Sequence, residues 1–431
     1  MNMPTMKTKA VRLYGVEDLR LEEFDLPQMK DDEILAKVVS DSICMSSYKA
    51  AHQGPAHKRV PDNVAENPVI IGHEFAGEII EVGKKWQGGF KPGDKFSIQP
   101  ALYYAGGPVG ILSSPGYSYK YIGGDATYVI IPNEVMETGS LLPYKGLGFY
   151  PASLSEPLSC VIGAMHACYH THPGSYKHAM EIKENGKMAL LAGVGPMGLA
   201  MINYVLHRPD RHPSLFVVTD IDQSRLDRAA SLYTVEYAAS KGIELHYVNT
   251  GSVENPVEEL RKLSGGTGYD EVVVMAPVPS VVEQGDDILG QDGCLNFFSG
   301  PGKADFKAPL NFYNVHYAST HVVGTSGGNT DDMKEALHLM SDGLDPAGLV
   351  THIGGLSVVP ETTLNLPNIK GGKKLIYTHI EMPLTPISDF AEKGKTNPAY
   401  AELDRLCKAH NGLWNLEAEA YLLANPDKFR D

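Results

Sequence analysis

The stretch Met188–Leu206, MALLAGVGPMGLAMINYVL, decides how this chain is read. It carries no charged residue and is long enough to suggest a membrane-spanning helix. Glycines at 193, 195 and 198 and a proline at 196 interrupt its first half, and no basic or aromatic belt flanks it. A buried strand, a tight turn and a buried helix account for it better.

Within that stretch, Gly193-Val-Gly-Pro-Met-Gly198 is a GxGxxG motif. It follows the apolar strand MALLA and opens the apolar helix LAMINYVL, which is the setting that gives the motif meaning. Gly193 permits the tight turn, and Gly195 lets a pyrophosphate approach the backbone. Gly198 permits close helix–strand packing, and Pro196 and Met197 complete the candidate cofactor-binding turn. The next strand, LFVVT, ends at Asp220, whose carboxylate suits free ribose hydroxyls and repels a 2′-phosphate. This favours NAD(H). Arg225 softens the preference and leaves NADP(H) open. The spacing from the glycine turn to Asp220 is a few residues longer than usual, and His207–Ser214 reads as the insertion.

Working outward, strands and helices alternate. Leu215–Thr219, Glu271–Met275, Cys294–Phe298 and Val322–Gly324 read as strands. Arg225–Leu232 and Asp331–Met340 read as helices. Alternation of this kind predicts an α/β fold with a parallel, doubly wound (Rossmann) sheet. The first third reads as β, with short alternating runs such as Lys9–Tyr14 and Glu33–Ser40. Ala101–Gly124, rich in Gly, Tyr and Ser, reads as a long loop. Glu156–Tyr169 reads as a helix opened by its Glu-Pro, and the residues from Thr385 read as largely helical.

The composition is that of a soluble globular protein of two or three domains, with 43% hydrophobic and 21% charged residues in 431. A net charge of −15 makes it a poor nonspecific binder of nucleic acid. Five scattered cysteines with no CxxC pair rule out a disulfide framework or a zinc ribbon. The N-terminal MNMPTMKTKAVRLYG has no apolar signal core, so the expectation is a cytoplasmic protein without membrane attachment.

Cys44, His73, Glu74 and Glu156 form the second signal. Taken singly each has a structural explanation. Together, a thiolate, an imidazole and a carboxylate with one open position match catalytic rather than structural zinc. Ser46, two residues past Cys44, supplies a hydroxyl that can pass a proton during carbonyl reduction.

The segments ICMSS around Cys44, GHEFAGEIIEVG from Gly72, KPGDKF from Lys91, SEPLSC from Ser155 and LLAGVGPMG from Leu190 resemble the zinc-dependent medium-chain dehydrogenase/reductases. The Glu156-Pro157 pair is similar to the polyol (sorbitol) dehydrogenase branch. The resemblance covers roughly residues 6 to 380. It implies a β-rich GroES-like catalytic domain over 1–158 and a dinucleotide-binding Rossmann domain over 159–328. Residues 329–431 would return to the catalytic domain and add a C-terminal helical extension. It further implies a homodimer or homotetramer. Cys44 and His73 would be zinc ligands. Glu156 would be a third ligand or hold the zinc-bound water, and Glu74 a ligand or an adjacent exchangeable carboxylate.

Two departures stand out. The family often has CG[ST]D, where this chain has Met45 and Ser47. Residues 95–125 also lack the four cysteines of a structural zinc lobe, so one zinc per chain at most is expected. The implied reaction is hydride transfer between nicotinamide and a sugar ketone or secondary alcohol. The substrate is either a sugar phosphate, with Lys58 and Arg59 gripping the phosphate, or an unphosphorylated polyol. A non-enzymatic NAD(H)-binding sensor on the same fold is the third reading, and the retained Cys44, His73 and Glu156 argue against it.

Overall fold

A computed structural model describes residues 6–430; the first five residues and Asp431, which the expected domains include, lie outside it. The chain divides into two units, Pro157–Leu344 and the remainder on either side of it.

In the middle unit, six parallel strands lie in the order Glu244–Asn249, Leu215–Asp220, Lys187–Leu191, Tyr269–Val274, Leu289–Phe297 and His321–Val323. The strand order reverses beside Lys187–Leu191, and ligands bind such sheets at the carboxyl ends of the strands around that reversal. Met188 to Leu191 are fully buried, and so is the helix Pro196–His207 from Gly198 to Leu206. Burial on all sides explains why the opening stretch has no polar face. Among the described residues no helix is long and apolar enough to cross a membrane.

The flanking segments build the other unit. The strand Ile34–Ile43 pairs antiparallel with Lys373–Tyr377, Ala76–Val82 and Tyr128–Ile131, so one sheet joins the two ends of the chain. The loop 101–124 contains only the short turn Gly110–Leu112. After it, the helices Phe390–Lys393, Pro398–Ala409 and Leu416–Ala424 form the C-terminal extension. Their Phe390, Tyr400, Leu403 and Leu422, with Trp414 and Phe429, share one apolar core with Tyr150, Leu154, Leu375 and Tyr377.

Three local readings change. The helix expected from Glu156 starts at Tyr150, and Pro157 sits inside it. Proline removes one backbone bond there, and the hydroxyls of Ser153 and Ser155 bond back to helix carbonyls at Tyr150 (3.1 Å) and Ala152 (2.6 Å). The helix Thr330–Ser341, placed by sequence in the return segment, packs in the middle unit instead. Its Asp332 bonds His166 at 2.7 Å and its Glu335 accepts from Tyr204 at 2.8 Å, so the crossing falls after Leu344 rather than after residue 328. The edge strand Glu244–Asn249 was not read from sequence at all.

Candidate active site and cofactor turn

Cys44 follows the strand Ile34–Ile43 and occupies the N-cap position of the helix Met45–Gln53. Its carbonyl accepts from the N–H groups of Ser47 and Tyr48, and its sulfur caps nothing, so the thiol is left for the site. His73 and Glu74 lie on the short link between the strands Val69–Ile70 and Ala76–Val82. Gly72 before them has φ +89°, and a Cβ there would stand 2.6 Å from the Asp125 nitrogen, so the link requires glycine.

The Cys44 sulfur, a His73 ring nitrogen and a Glu74 carboxylate oxygen all lie within 4.8 Å of one another. Ser47 Oγ lies 3.2 Å from His73 Nδ1. A neutral hydroxyl thus buttresses the ring where the family often has aspartate. His73 Nε2 lies 3.2 Å from Ser46 Oγ and 3.2 Å from the Tyr117 hydroxyl, and Ser46 Oγ donates to the Cys44 sulfur at 3.0 Å.

Glu74 and Glu156 are buried, and the charge around them is unequal. Burial raises the Glu74 carboxyl, but the Lys373 ammonium, His73 and hydrogen bonds from Lys373 and Ser42 outweigh it and hold it low. At Glu156 the Lys373 ammonium is the weakest of the named influences. Burial, with Glu74 and Cys44 adding to it against His73, pushes it up to about 7. Burial likewise raises the Cys44 thiol and lowers the His73 ring. Three acidic side chains (Cys44, Glu74, Glu156) therefore surround one ammonium. A bound dication, taking Cys44 as thiolate and His73 as neutral imidazole, restores the balance. The donor set fits zinc.

Lys373 and Tyr117 are absent from the sequence reading. Lys373 is buried and opens the strand Lys373–Tyr377; the only local signal is a Lys-Lys pair leading an apolar run. Tyr117 lies in the aperiodic loop, where no pattern marks it. Gly116 brings it in: φ is +80°, and a Cβ would meet the Gly72 carbonyl at 2.0 Å.

The basic loop connects to this cluster through rings. The Tyr117 ring lies 4.8 Å from His73, and His57 stacks on Tyr117 at 5.8 Å. Burial first, then Arg59, Lys58 and Lys49, push the His57 ring down to about 4, so it is neutral near pH 7. Arg59 is half-buried, with Nη1 donating to the Leu112 carbonyl at 2.9 Å, and Lys58 is exposed. Among the described residues no carboxylate pairs with either. Lys120 of the long loop is exposed and bonds Asn67.

In the middle unit, Gly195 is the N-cap of the helix Pro196–His207, and Pro196 occupies its first position. The Gly193 N–H donates to the Thr219 carbonyl at 2.7 Å. A Cβ on Gly198 would meet the Gly193 carbonyl at 2.0 Å, which is the close packing the third glycine serves. Met197 lies in the first turn. Asp220 ends its strand and accepts from the N–H groups of Ile221 (2.9 Å) and Asp222 (3.1 Å). The Arg225 guanidinium stands 3.3 Å from where a Gly195 Cβ would be. A helix N-terminus with an arginine beside it fits the phosphates of a dinucleotide.

The sequence and the fold match known proteins. Residues 30–139 match the alcohol dehydrogenase GroES-like domain, and residues 216–342 match the zinc-binding dehydrogenase family. The chain belongs to the zinc-dependent medium-chain dehydrogenase/reductases and is an oxidoreductase using zinc and a nicotinamide cofactor. It is 51% identical to mannitol-1-phosphate 5-dehydrogenase of Aliivibrio fischeri, over 97% of each chain. It is 50% identical to L-sorbose 1-phosphate reductase of Klebsiella pneumoniae, over 97% of this chain and 98% of that one. The fold matches 2R,3R-butanediol dehydrogenase from Bacillus subtilis with a TM-score of 0.69 at 22% identity, covering 86% of this chain and 99% of that one.

Proposed function

We propose that the protein reduces a phosphorylated ketose to a polyol phosphate, with L-sorbose 1-phosphate to D-glucitol 6-phosphate the favoured pair, and catalyses the reverse oxidation. The observation that carries this is Arg59, which pairs with no carboxylate among the described residues, on a loop whose His57 stacks on Tyr117, itself in contact with His73. Two relatives of about half-identical sequence are named for phosphorylated substrates, which supports the same reading. An unphosphorylated polyol would need a neutral pocket instead.

In this reading Cys44 and His73 hold the zinc, with Glu74 of the same cluster or Glu156 as the third ligand, and Lys373 keeps Glu74 charged. Zinc supplies a Lewis acid to the carbonyl oxygen, and the reduced nicotinamide supplies the hydride. Ser46 Oγ starts the proton relay, passing a proton to the substrate oxygen as the alcohol forms and taking one back from water. Tyr117 and His57 wall the site with rings, and a neutral His57 adds no competing charge beside Arg59. Asp220 supports NAD(H), and Arg225 beside Gly195 keeps NADP(H) open.

Arg59→Glu tests the phosphate assignment. One charge-assisted contact contributes about 1.5–3 kcal/mol, so kcat/KM for the phosphorylated ketose should fall at least ~10-fold. The free ketose should be little affected, and Arg59→Lys should retain most activity. Equal loss on both substrates, or no loss on either, removes Arg59 from the phosphate site.

A further inference from the structure

The helix Tyr150–Ala167 carries Glu156, and its first N–H groups need acceptors from outside the helix. The acceptor comes from the C-terminal extension. Glu419 Oε2 accepts from the Phe149 N–H at 2.7 Å, and Oε1 accepts from the Tyr150 N–H at 2.8 Å and from the Tyr377 hydroxyl at 2.7 Å. Glu419 is fully buried on the helix Leu416–Ala424, whose start Asn415 caps. Trp414 Nε1 donates to the same Tyr377 hydroxyl at 2.8 Å. The chain before the helix is shaped around the carboxylate: Gly148 has φ +70°, and a Cβ there would lie 2.2 Å from Glu419 Oε2.

Both elements that Glu419 joins lead to the site. Tyr377 ends the strand that Lys373 begins, and Lys373 pairs with Glu74. Glu156 lies about 9 Å along the helix from Tyr150, at 1.5 Å per residue. Pro157 interrupts the helical bonding beside it, so the position of Glu156 depends on how the preceding turns are anchored. Ser153 against Ser40 and Ser155 against Ser97, both at 3.0 Å, hold the flank of those turns. Glu419 holds their start.

Attachment of the extension does not by itself explain a buried carboxylate. Trp414, Leu403, Leu422 and Phe429 already bury an apolar face there, and a carboxylate in such a place is costly unless its bonds are well made. What it adds is direction: three donors from two elements meet two fixed oxygens.

We propose that Glu419 is a positioning residue of the active site, by which the C-terminal extension fixes the helix bearing Glu156 and the strand bearing Lys373. This rests on the reading of Cys44 and His73, with Glu74 or Glu156, as the zinc site.

The test is Glu419→Gln in the full-length holoenzyme, with Tyr377→Phe as a milder second variant. Zinc release to a chromogenic chelator, kcat, KM for each substrate and Tm are measured. An amide turns one acceptor into a donor facing a backbone N–H, so faster zinc loss and a kcat about tenfold lower are expected, the low end of what disturbing a metal site's outer partners costs. KM for the nicotinamide should hold, since the glycine turn lies in the other unit. Tyr377→Phe should move both quantities the same way by less. A purely structural role would lower Tm and leave zinc retention and kcat unchanged well below Tm; that result overturns the proposal. If Glu419→Gln does not fold, unchanged zinc retention in Tyr377→Phe overturns it equally. Failure of the underlying site reading shows separately, as a Cys44→Ala variant that keeps its zinc.

Discussion

Cys44→Ala should lose its zinc and at least ~10³-fold in kcat, because Lewis-acid stabilisation contributes several kcal/mol and each 1.36 kcal/mol is tenfold in rate. The reason lies in the charge balance of the site. In the proposed reading Cys44 would supply the thiolate that offsets a dication among Glu74, Glu156 and Lys373. Alanine keeps the N-cap geometry, since the Cys44 backbone carbonyl makes the capping bonds and the sulfur makes none. The fold should therefore survive, with zinc content and turnover lost together. Elemental analysis beside steady-state kinetics checks this. A variant with full zinc content and ordinary turnover places the metal elsewhere.

Ser46→Ala should separate chemistry from metal binding. Ser46 Oγ touches the Cys44 sulfur and His73 Nε2, and in the proposed reading it is a proton donor and not a ligand. Removing a positioned proton donor costs about 10²–10⁴-fold in rate. Zinc content and KM for the nicotinamide should stay at wild-type values while kcat falls. A Ser46→Ala enzyme with wild-type kcat means that the proton reaches the substrate oxygen by another group, and the Tyr117 hydroxyl beside His73 Nε2 is then the one to replace.

These two variants address residues that short-range pattern made legible. The glycine turn could be read because its meaning depends only on the strand before it and the helix after it, and Gly198 packs on Gly193 as that local pattern implies. Cys44 and His73 were legible as motif positions. Their partners were not. Lys373 reaches Glu74 across 299 residues of chain, and nothing local distinguishes it from Lys374 beside it. Tyr117 depends on a turn with positive φ inside a loop that has no period. The strand Glu244–Asn249 escaped because it lies at the sheet edge, half exposed, where the apolar signal of a buried parallel strand is diluted. The start of the Glu156 helix was misplaced because a Glu-Pro pair normally opens a helix, and here the surrounding core tolerates the proline inside one. The anchoring of that helix by Glu419 spans 269 residues and became visible only in the folded chain.

In the proposed function this zinc-dependent oxidoreductase acts on a phosphorylated ketose. The most direct measurement is the oxidation of NADH and of NADPH by the wild-type holoenzyme with L-sorbose 1-phosphate and, separately, with L-sorbose. Turnover with the phosphate and little without it is expected, with NADH the better donor. Equal or faster turnover of the free sugar would contradict it, moving the enzyme to unphosphorylated polyols and returning Lys58 and Arg59 to surface charge.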